Sequence, residues 1–164
     1  MIFSEGDNME KVMFASEKND WETPDSLFDE LHYEFEFDLD VCATEENAKL
    51  SNYLNPEQDA LSMDWAGTCW LNPPYGREIH KWMRYAMQQA MMGNCEVVCL
   101  IPSRTDTKWF WDTARHGEVR FLKGRLKFKG ADNSAPFPSA IVVFRKHMEL
   151  GNGTTRYWEI KDDS

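Results

Sequence analysis

The chain has 164 residues, 42% hydrophobic and 28% charged, a mixture typical of one compact globular domain. No run reaches the roughly 18 apolar residues that span a bilayer, and the N-terminal MIFSEGDNMEKV has acids where a secretory signal needs bases, so we expect a cytoplasmic protein. The cysteines at 42, 69, 95 and 99 form no CxxC pair and no zinc-finger pattern with histidines, which argues against a metal site and favours buried free thiols.

The net charge of -10 argues against a nonspecific nucleic-acid coat protein, but the charge is unevenly distributed. Residues 1–64 hold 18 acidic and 3 basic residues, whereas residues 65–164 hold 15 basic and 10 acidic ones. A basic run in the second part contains two aromatic residues, Phe121 and Phe128, and five cations, Arg120, Lys123, Arg125, Lys127 and Lys129. Two interpretations stay open for this run: a strip that faces phosphates, or a solvated hairpin.

The first half of the chain predicts a leader followed by a helix and a strand. Residues 1–20 are polar and aperiodic and predict a mobile leader, so the single domain is expected at 21–164, without a separate target-recognition domain. The segment SLFDELHYEF has the apolar spacing of a helix, with a Ser or Asp after Pro24 as its cap. FEFDLDVCA indicates a strand that ends in a loop near Cys42, and residues 44–64 suggest a short helix and an Asn55-Pro56 turn.

The second half alternates strand and helix before ending in strands. TCWLNPPYG predicts a buried strand broken by two prolines and a glycine, and IHKWMRYAMQQAMM an amphipathic helix that stops at Gly93-Asn94. CEVVCLIP is typical of a parallel strand covered on both faces, and TDTKWFWDTAR of a capped helix. Three strand-like runs follow: EVRFLKG, RLKFKG and SAIVVFRK. This order predicts an α/β three-layer fold with a mostly parallel sheet and antiparallel C-terminal strands.

The strongest chemical signal is Asn72-Pro73-Pro74-Tyr75, at the carboxyl end of a predicted strand, where α/β folds build their sites. Two consecutive prolines make a stiff corner, at which Asn72 Oδ1 and the Pro73 carbonyl can converge. Two acceptors at one point can hold both N–H groups of an aromatic amine and make its nitrogen nucleophilic. Tyr75 offers a ring on which an extruded base can stack. The alternative is a merely structural strand-to-helix turn.

Seven segments together resemble the small phage-type, Dam-like DNA N6-adenine methyltransferases over roughly residues 21–146. They are WETP (21–24), FDLDVCA (37–43), Asn47-Ala48-Lys49, NPPYGR (72–77), PSRTDTKWF (102–110), and RLKFKG with NSAPFPSAIVVF within 125–144. The resemblance implies a Rossmann-like methyltransferase fold with S-adenosylmethionine across the carboxyl ends of the first strands. It also implies methylation of the N6 amine of adenine in DNA, in a phage or prophage context.

The resemblance also implies cofactor-binding residues. A Thr-Pro element that contacts the methionine part of the cofactor corresponds to Thr23 and Pro24. A D-P-C-A-like pattern corresponds to the segment Asp40 to Ala43, in which Asp40 would hold charged or hydroxylated groups, beside Cys42. Asp64 is the candidate acceptor for the adenine amine of the cofactor. Helix capping or solvated loop positions are the alternatives for both acids, and Asp38 and Asp59 compete for their roles.

Substrate-binding candidates lie further along the chain. Phe137, between two prolines, is placed to form the opposite wall of the base pocket, with ordinary core packing as the alternative. Arg104 would bind phosphate or pair with Asp106, and Arg125 and Lys127 of the basic run would contact DNA. One departure from the family pattern is that CATEEN, after the first strand, has no glycine-rich turn.

The predicted mechanism is direct in-line methyl transfer that requires no metal and no covalent enzyme intermediate. Two other kinds of function stay open. NPPY-type loops also serve methylation of RNA adenine or of a protein glutamine amide. The missing glycine turn also permits a noncatalytic DNA-binding or partner-binding module of the same fold.

Overall fold

Six strands form one sheet in residues 20–161, the part of the chain that a computed structural model of the protein describes. The strands are β1 (Leu39–Asp40), β2 (Gly67–Leu71), β3 (Cys95–Pro102), β4 (Glu118–Leu122), β5 (Ser139–Phe144) and β6 (Thr154–Trp158). They lie in the order β1-β2-β3-β5-β4-β6, with β1, β2 and β3 parallel and β4 parallel to β6. β5 is antiparallel to both of its neighbours. The fold is therefore mixed α/β with a mostly parallel sheet, as predicted.

The helices are α1 (Asp25–Phe35), α2 (Ile79–Met91) and the short α3 (Lys108–Asp112). The predicted apolar spacing of α1 is confirmed, since Leu27, Phe28 and Leu31 are buried and the Phe28 ring meets Trp70 edge-on at 5.4 Å. The expected cap is wrong: Pro24 occupies the cap position and makes no side-chain hydrogen bond there. The Asp25 carboxylate instead pairs with Lys49 and Lys129. No helix within residues 20–161 is long and apolar enough to cross a membrane.

The C-terminal strands differ from the prediction in two places. RLKFKG is not a strand, because its backbone bonds to loops: the Ala135 N–H donates to the Leu126 carbonyl at 2.7 Å and the Lys129 N–H to the Glu22 carbonyl at 2.9 Å. β6 was not predicted, because its residues are almost all exposed and have no apolar alternation. It pairs in parallel with β4, so β5 is the only strand in the described range that runs against the rest.

Other predicted elements are shorter than expected. The first strand spans two residues, and TDTKWFWDTAR divides into α3, capped by Thr107, and a 3₁₀ turn at Ala114–His116. The 44–64 segment holds 3₁₀ turns at Pro56–Gln58 and Ala60–Ser62. The predicted leader lies, apart from Asp20, outside the described residues. All four cysteines are free thiols; three are buried and Cys42 is half-buried.

The direction of β5 places its beginning near the site predicted at the proline corner. Ser139, the first residue of β5, is opposite Pro102, the last residue of β3. The connection 123–138 therefore leaves β4 and enters β5 at the sheet edge where β1, β2 and β3 end. Carboxyl ends of parallel strands are the usual place for ligand sites in such folds.

The basic run does not form one phosphate-facing strip, because Arg120 is only 1% exposed. Its guanidinium forms two hydrogen bonds to Glu34 of α1, at 2.8 and 2.6 Å, and one to Glu118. Hydrogen bonding to Arg120 holds the pKa of Glu34 below its ordinary value. Lys123 and Lys129 pair with Glu159 and Asp25. Arg120 thus fastens α1 to the sheet and is unavailable to DNA.

Replacing Arg120 with leucine should lower the free energy of unfolding by about 2 kcal/mol, less than the roughly 3–5 kcal/mol for a fully buried pair. The reduction is smaller because the side chains left behind, Glu34 at 41% and Glu118 at 20% exposure, can be rehydrated. Urea unfolding at pH 7 measures it. Lys123→Leu, which breaks a pair exposed at both ends, is the control and should change little. Equal unfolding midpoints for the two variants would contradict the role of Arg120.

Candidate active site

A cavity of about 550 Å³ opens at the edge where β1 and β2 end. Its volume lies within the range of small-molecule and cofactor sites, roughly 300–1,000 Å³. Asn72 follows the last residue of β2, and Asp40 is the last residue of β1, so adjacent parallel strands deliver both side chains to one place. Six residues predicted for the site lie in the cavity wall: Thr23, Asp40, Cys42, Asn72, Pro73 and Pro74.

Asn72 has a defined amide orientation. Its Nδ2 donates to the Trp21 carbonyl at 2.5 Å and to Thr23 Oγ1 at 3.1 Å. Its Oδ1 is buried and has no hydrogen-bond partner within the described residues. A buried acceptor without a donor costs about 1–3 kcal/mol. An incoming N–H group at this oxygen would recover that cost, which is the property expected of a substrate-binding acceptor.

Tyr75 does not line the cavity. Its side chain is 5% exposed, and its hydroxyl donates to the Leu100 carbonyl at 3.2 Å. Burial raises the pKa of this hydroxyl, which therefore stays protonated. The ring contacts Phe137 at 5.7 Å and Phe128 at 6.4 Å in edge-to-face geometry, and Trp21 packs against the same two phenylalanines. We call Trp21, Tyr75, Phe128 and Phe137 the aromatic cluster; within it, Trp21 alone lines the cavity.

Asp40 is a carboxylate that is 2% exposed but faces the cavity. It accepts hydrogen bonds from the backbone N–H of Lys49 at 3.0 Å and of Cys42 at 3.4 Å. Burial raises the pKa of Asp40 to about 6, although these two N–H groups and the Lys49 charge act in the opposite direction. A cation or hydroxyl group that entered the cavity beside Asp40 would supply the missing solvation.

The loop after β1 closes without the glycine turn of the family pattern. Residues 41–48 adopt no positive φ, so no position in this loop demands glycine. The loop is held by side chains: Asn47 Oδ1 accepts from the Thr44 N–H at 2.7 Å, and Asp40 accepts from two further N–H groups. Cys42 contributes a neutral thiol, since burial and the nearby Asp40 raise its pKa to about 12.

Two predicted cofactor residues lie elsewhere. Pro24 caps α1 and is not in the cavity wall. Asp64 is exposed, accepts a hydrogen bond from Gln89 Nε2 at 3.2 Å and is not in the cavity wall, whereas its predicted competitor Asp59 is. The other competitor, Asp38, is used structurally, because it accepts from the Thr68 N–H at 2.9 Å.

The predicted substrate-binding residues lie on segments at this edge, outside the cavity wall. Phe137 is 7% exposed within the aromatic cluster. Arg104 is exposed, its guanidinium lies 5.8 Å from the centre of the Phe137 ring, and within residues 20–161 it forms no ion pair, with Asp106 or otherwise. Arg125 and Lys127 are exposed in the 123–138 connection, and Arg125 reaches the Ala135 carbonyl at 3.4 Å.

Several cavity residues were missed by sequence reasoning. Lys49 has a side chain only 9% exposed, and its Nζ lies 3.0 Å from Asp25 Oδ1 and 4.0 Å from Glu22 Oε1. Trp82 of α2 also lines the cavity, although the sequence assigned it no role. Lys49 is brought there because the irregular 44–64 segment folds back along β1, where Tyr53 bridges to Asp40 and the Leu54 N–H donates to the Asp40 carbonyl. Trp82 is brought there by α2. No local pattern indicates such a return.

These features define an α/β protein with a ligand-sized cavity at the carboxyl edge of its parallel strands and an unpartnered amide oxygen on a proline corner. A sequence profile of the DNA N-6-adenine-methyltransferase (Dam) family matches residues 11–155, and the chain belongs to this family. It is 42% identical over 152 residues to the DNA N-6-adenine-methyltransferase of Haemophilus phage HP1 (strain HP1c1), with 87% of each chain covered. It is 30% identical over 110 residues to the corresponding protein of Escherichia phage T1, covering 65% of this chain and 45% of that protein.

Proposed function

We propose that the protein binds S-adenosylmethionine in the cavity and transfers its methyl group to the N6 amine of adenine in DNA. Membership of the adenine-specific DNA methyltransferase family supports this reaction. The observation that carries the site assignment is the buried Asn72 Oδ1, which has no donor among residues 20–161 and lies at the edge of a cavity that Asp40 also lines. Because the two relatives are phage proteins, we propose that the enzyme modifies phage or prophage DNA in the host cytoplasm.

The polar groups of the cavity fit the cofactor. Asp40 would accept hydrogen bonds from the ammonium or ribose hydroxyl groups of the cofactor. Lys49, which carries a positive charge, would face the carboxylate of the cofactor. Asp59, which lines the cavity whereas Asp64 does not, would accept a hydrogen bond from the adenine amine of the cofactor. Thr23 and Cys42 complete the wall with short, uncharged side chains. When bound, the cofactor supplies an electrophilic methyl carbon on a sulfonium centre.

The proline corner would hold the reacting amine. Asn72 Oδ1 and the Pro73 carbonyl would each accept one N–H group of adenine N6, which directs the nitrogen lone pair away from the ring. No general base is needed before the transfer, because the amine attacks in its neutral form. As the N–C bond forms the methyl–sulfur bond breaks, and the methylated nitrogen then loses one proton to water. The chain's contribution is then orientation and charge complementarity.

An extruded adenine would enter beside the aromatic cluster. Tyr75 and Phe137 are its proposed walls, and their rings, now in edge contact at 5.7 Å, must separate to admit the base. Stacking on aromatic rings contributes roughly 1–3 kcal/mol per base, enough to offset the loss of such contacts. Entry of the base would bring its amine to the buried Asn72 Oδ1.

Arg104, Arg125 and Lys127 are proposed to contact DNA phosphates at this edge. Removing one such cation should weaken binding to all sequences equally. We expect Lys127→Ala to raise the KM for DNA about 3- to 10-fold and to reduce the slope of log affinity against log salt by about 1. Steady-state kinetics and binding titrations between low and moderate salt measure these changes.

Lys146→Ala is the matched control for Lys127→Ala. Lys146 is also an exposed lysine, but it follows β5 and therefore lies at the opposite edge of the sheet. The Lys146→Ala substitution should leave both the KM for DNA and the slope of log affinity against log salt unchanged. Equal effects of the two substitutions would show that general charge, and not a phosphate contact at the site, governs binding.

The function is tested by measuring the transfer of labelled methyl groups from S-adenosylmethionine into DNA, RNA and protein. The expected product is N6-methyladenine in DNA alone, identified after digestion to nucleosides, and the Asn72→Ala variant should produce it at least about 100-fold more slowly. Label confined to RNA or protein would overturn the DNA assignment. Absence of both transfer and cofactor binding, in a folded protein, would indicate a noncatalytic module.

A further inference from the structure

The two hydrogen bonds of the Asn72 amide come from one short segment, Trp21 to Thr23. The Trp21 carbonyl accepts at 2.5 Å and Thr23 Oγ1 at 3.1 Å, so both N–H groups of Nδ2 are engaged. Thr23 is 1% exposed, and its hydroxyl is therefore a fixed partner shielded from water. The segment is separated from Asn72 by about fifty residues of chain, as the sequence separations of 51 and 49 show.

We propose that Trp21 and Thr23 are positioning residues that determine which atom of Asn72 faces the substrate amine. A carbonyl oxygen has no proton to donate, so an amide turned by 180° would set Oδ1 against the Trp21 carbonyl, acceptor against acceptor. The Thr23 hydroxyl fixes the second N–H. With both donors held, Oδ1 is left for the amine. This inference rests on the proposed role of Asn72 and deepens it.

The segment is itself well anchored. The Trp21 ring packs at 5.2 Å from Phe128 and 5.1 Å from Phe137, and the Glu22 carbonyl accepts from the Lys129 N–H at 2.9 Å. On the other side, Pro24 leads directly into α1. Because the segment is tied to both the 123–138 connection and α1, it can hold Asn72 in one orientation between turnovers.

Thr23→Val tests the proposal, because valine keeps the shape of threonine and removes the acceptor. We expect kcat to fall about 10-fold, with the KM for DNA within about 2-fold of the wild type. The Kd for S-adenosylmethionine should rise by no more than about 3-fold, because Thr23 lines the cavity but its hydroxyl is engaged by Asn72 Nδ2. Thr23→Ser keeps the hydroxyl and should regain at least half of the lost activity. If valine impairs folding, Thr23→Ala must show the same loss of kcat and the same rescue by serine.

The side-chain amide of Asn72 provides an independent readout. In protein labelled with ¹⁵N-asparagine, the Asn72 signals are assigned by their loss in Asn72→Ala. Both N–H protons should be protected from exchange in the wild type, and one should lose protection in Thr23→Val. Wild-type kcat in Thr23→Val, or a rise in cofactor Kd with unchanged kcat, would overturn the positioning role.

Failure of this inference can be separated from failure of the proposed function. If Asn72→Ala abolishes transfer while Thr23→Val behaves as the wild type, Asn72 binds the amine but does not depend on the Trp21 to Thr23 segment. If Asn72→Ala itself retains full activity, the assignment of the amine site is wrong, and the positioning role falls with it.

Discussion

Asn72→Ala is expected to lower kcat by about 100- to 1,000-fold, the loss that follows removal of one preorganised polar partner of a transition state. The reason is that Oδ1, now buried without a donor, would no longer hold the N6 amine as its lone pair turns toward the methyl group. Cofactor affinity should change by less than about 3-fold, because the amine interaction is made with the other substrate. Rapid-quench kinetics and calorimetric titration with the cofactor measure the two quantities separately.

Asn152→Ala is the matched control for Asn72→Ala. Asn152 is exposed in the loop before β6 and lies outside the cavity wall, so its loss should change neither kcat nor cofactor affinity. Because Asn72 also ties Trp21 and Thr23 to the corner, the unfolding midpoint of Asn72→Ala must be measured alongside. A folded Asn72→Ala protein with kcat within a few-fold of the wild type would contradict the proposed amine site.

Asp40→Asn is expected to raise the Kd for S-adenosylmethionine by about 10- to 100-fold, since a hydrogen bond to a charged group is worth about 1.5–3 kcal/mol. Asparagine keeps one acceptor for the backbone N–H of Lys49 but loses the negative charge. Isothermal titration at pH 7.5 measures the change. Thr44→Ala, which alters a half-buried neighbour in the same wall, is the control and should have a smaller effect.

The pH dependence of cofactor binding offers a second test of Asp40. Burial raises the pKa of this carboxyl to about 6, so in the protein without cofactor Asp40 becomes protonated and neutral as the pH falls below that value. A cationic ligand group prefers the ionised form, and affinity should therefore fall as the pH is lowered from 7 to 5, approaching about 10-fold per pH unit below the pKa. Asp40→Asn should remove this dependence. A wild-type affinity that is flat across this range would contradict direct contact with Asp40.

The same pKa has the opposite consequence for folding. The pKa is higher in the folded protein than the ordinary value of 3.8, so the folded state binds more protons between these two values. The stabilising contribution of protonated Asp40 is full below pH 3.8 and is lost as the pH rises through about 6. Asp40→Asn should therefore unfold at a higher urea concentration than the wild type at pH 7. This combination of weaker binding with greater stability distinguishes a ligand-binding acid from a structural one.

Local sequence patterns predicted the elements that deliver the site. The apolar spacing of α1 and α2 and the apolar runs of β2 and β3 need only periodicity and composition. The proline pair ends β2 just before Asn72, whatever the position of the rest of the chain. The family resemblance added Thr23, Asp40 and Cys42, which the fold brings to one cavity wall.

The structural differences from the predictions concern side chains whose environment comes from distant parts of the chain. Arg120 follows the same local pattern as Lys123 and Arg125, which are exposed, and the bidentate partner of its buried guanidinium, Glu34, is 86 residues away in sequence. Tyr75 belongs to the proline corner in sequence, yet packing against Phe128 and Phe137 keeps its ring out of the cavity wall. Asp59 and Asp64 differ only in which side of a 3₁₀ turn they occupy, which spacing alone does not reveal.

The amine site at the proline corner is tested most directly by a structure of the protein with a nonreactive S-adenosylmethionine analogue and a DNA duplex that contains target adenine. The extruded adenine N6 should lie within hydrogen-bond distance, about 2.7–3.2 Å, of Asn72 Oδ1 and of the Pro73 carbonyl. Nδ2 should still donate to Trp21 and Thr23, as it does without ligands. An extruded adenine whose N6 is bound by other groups, with Asn72 Oδ1 still unpartnered, would contradict this amine site.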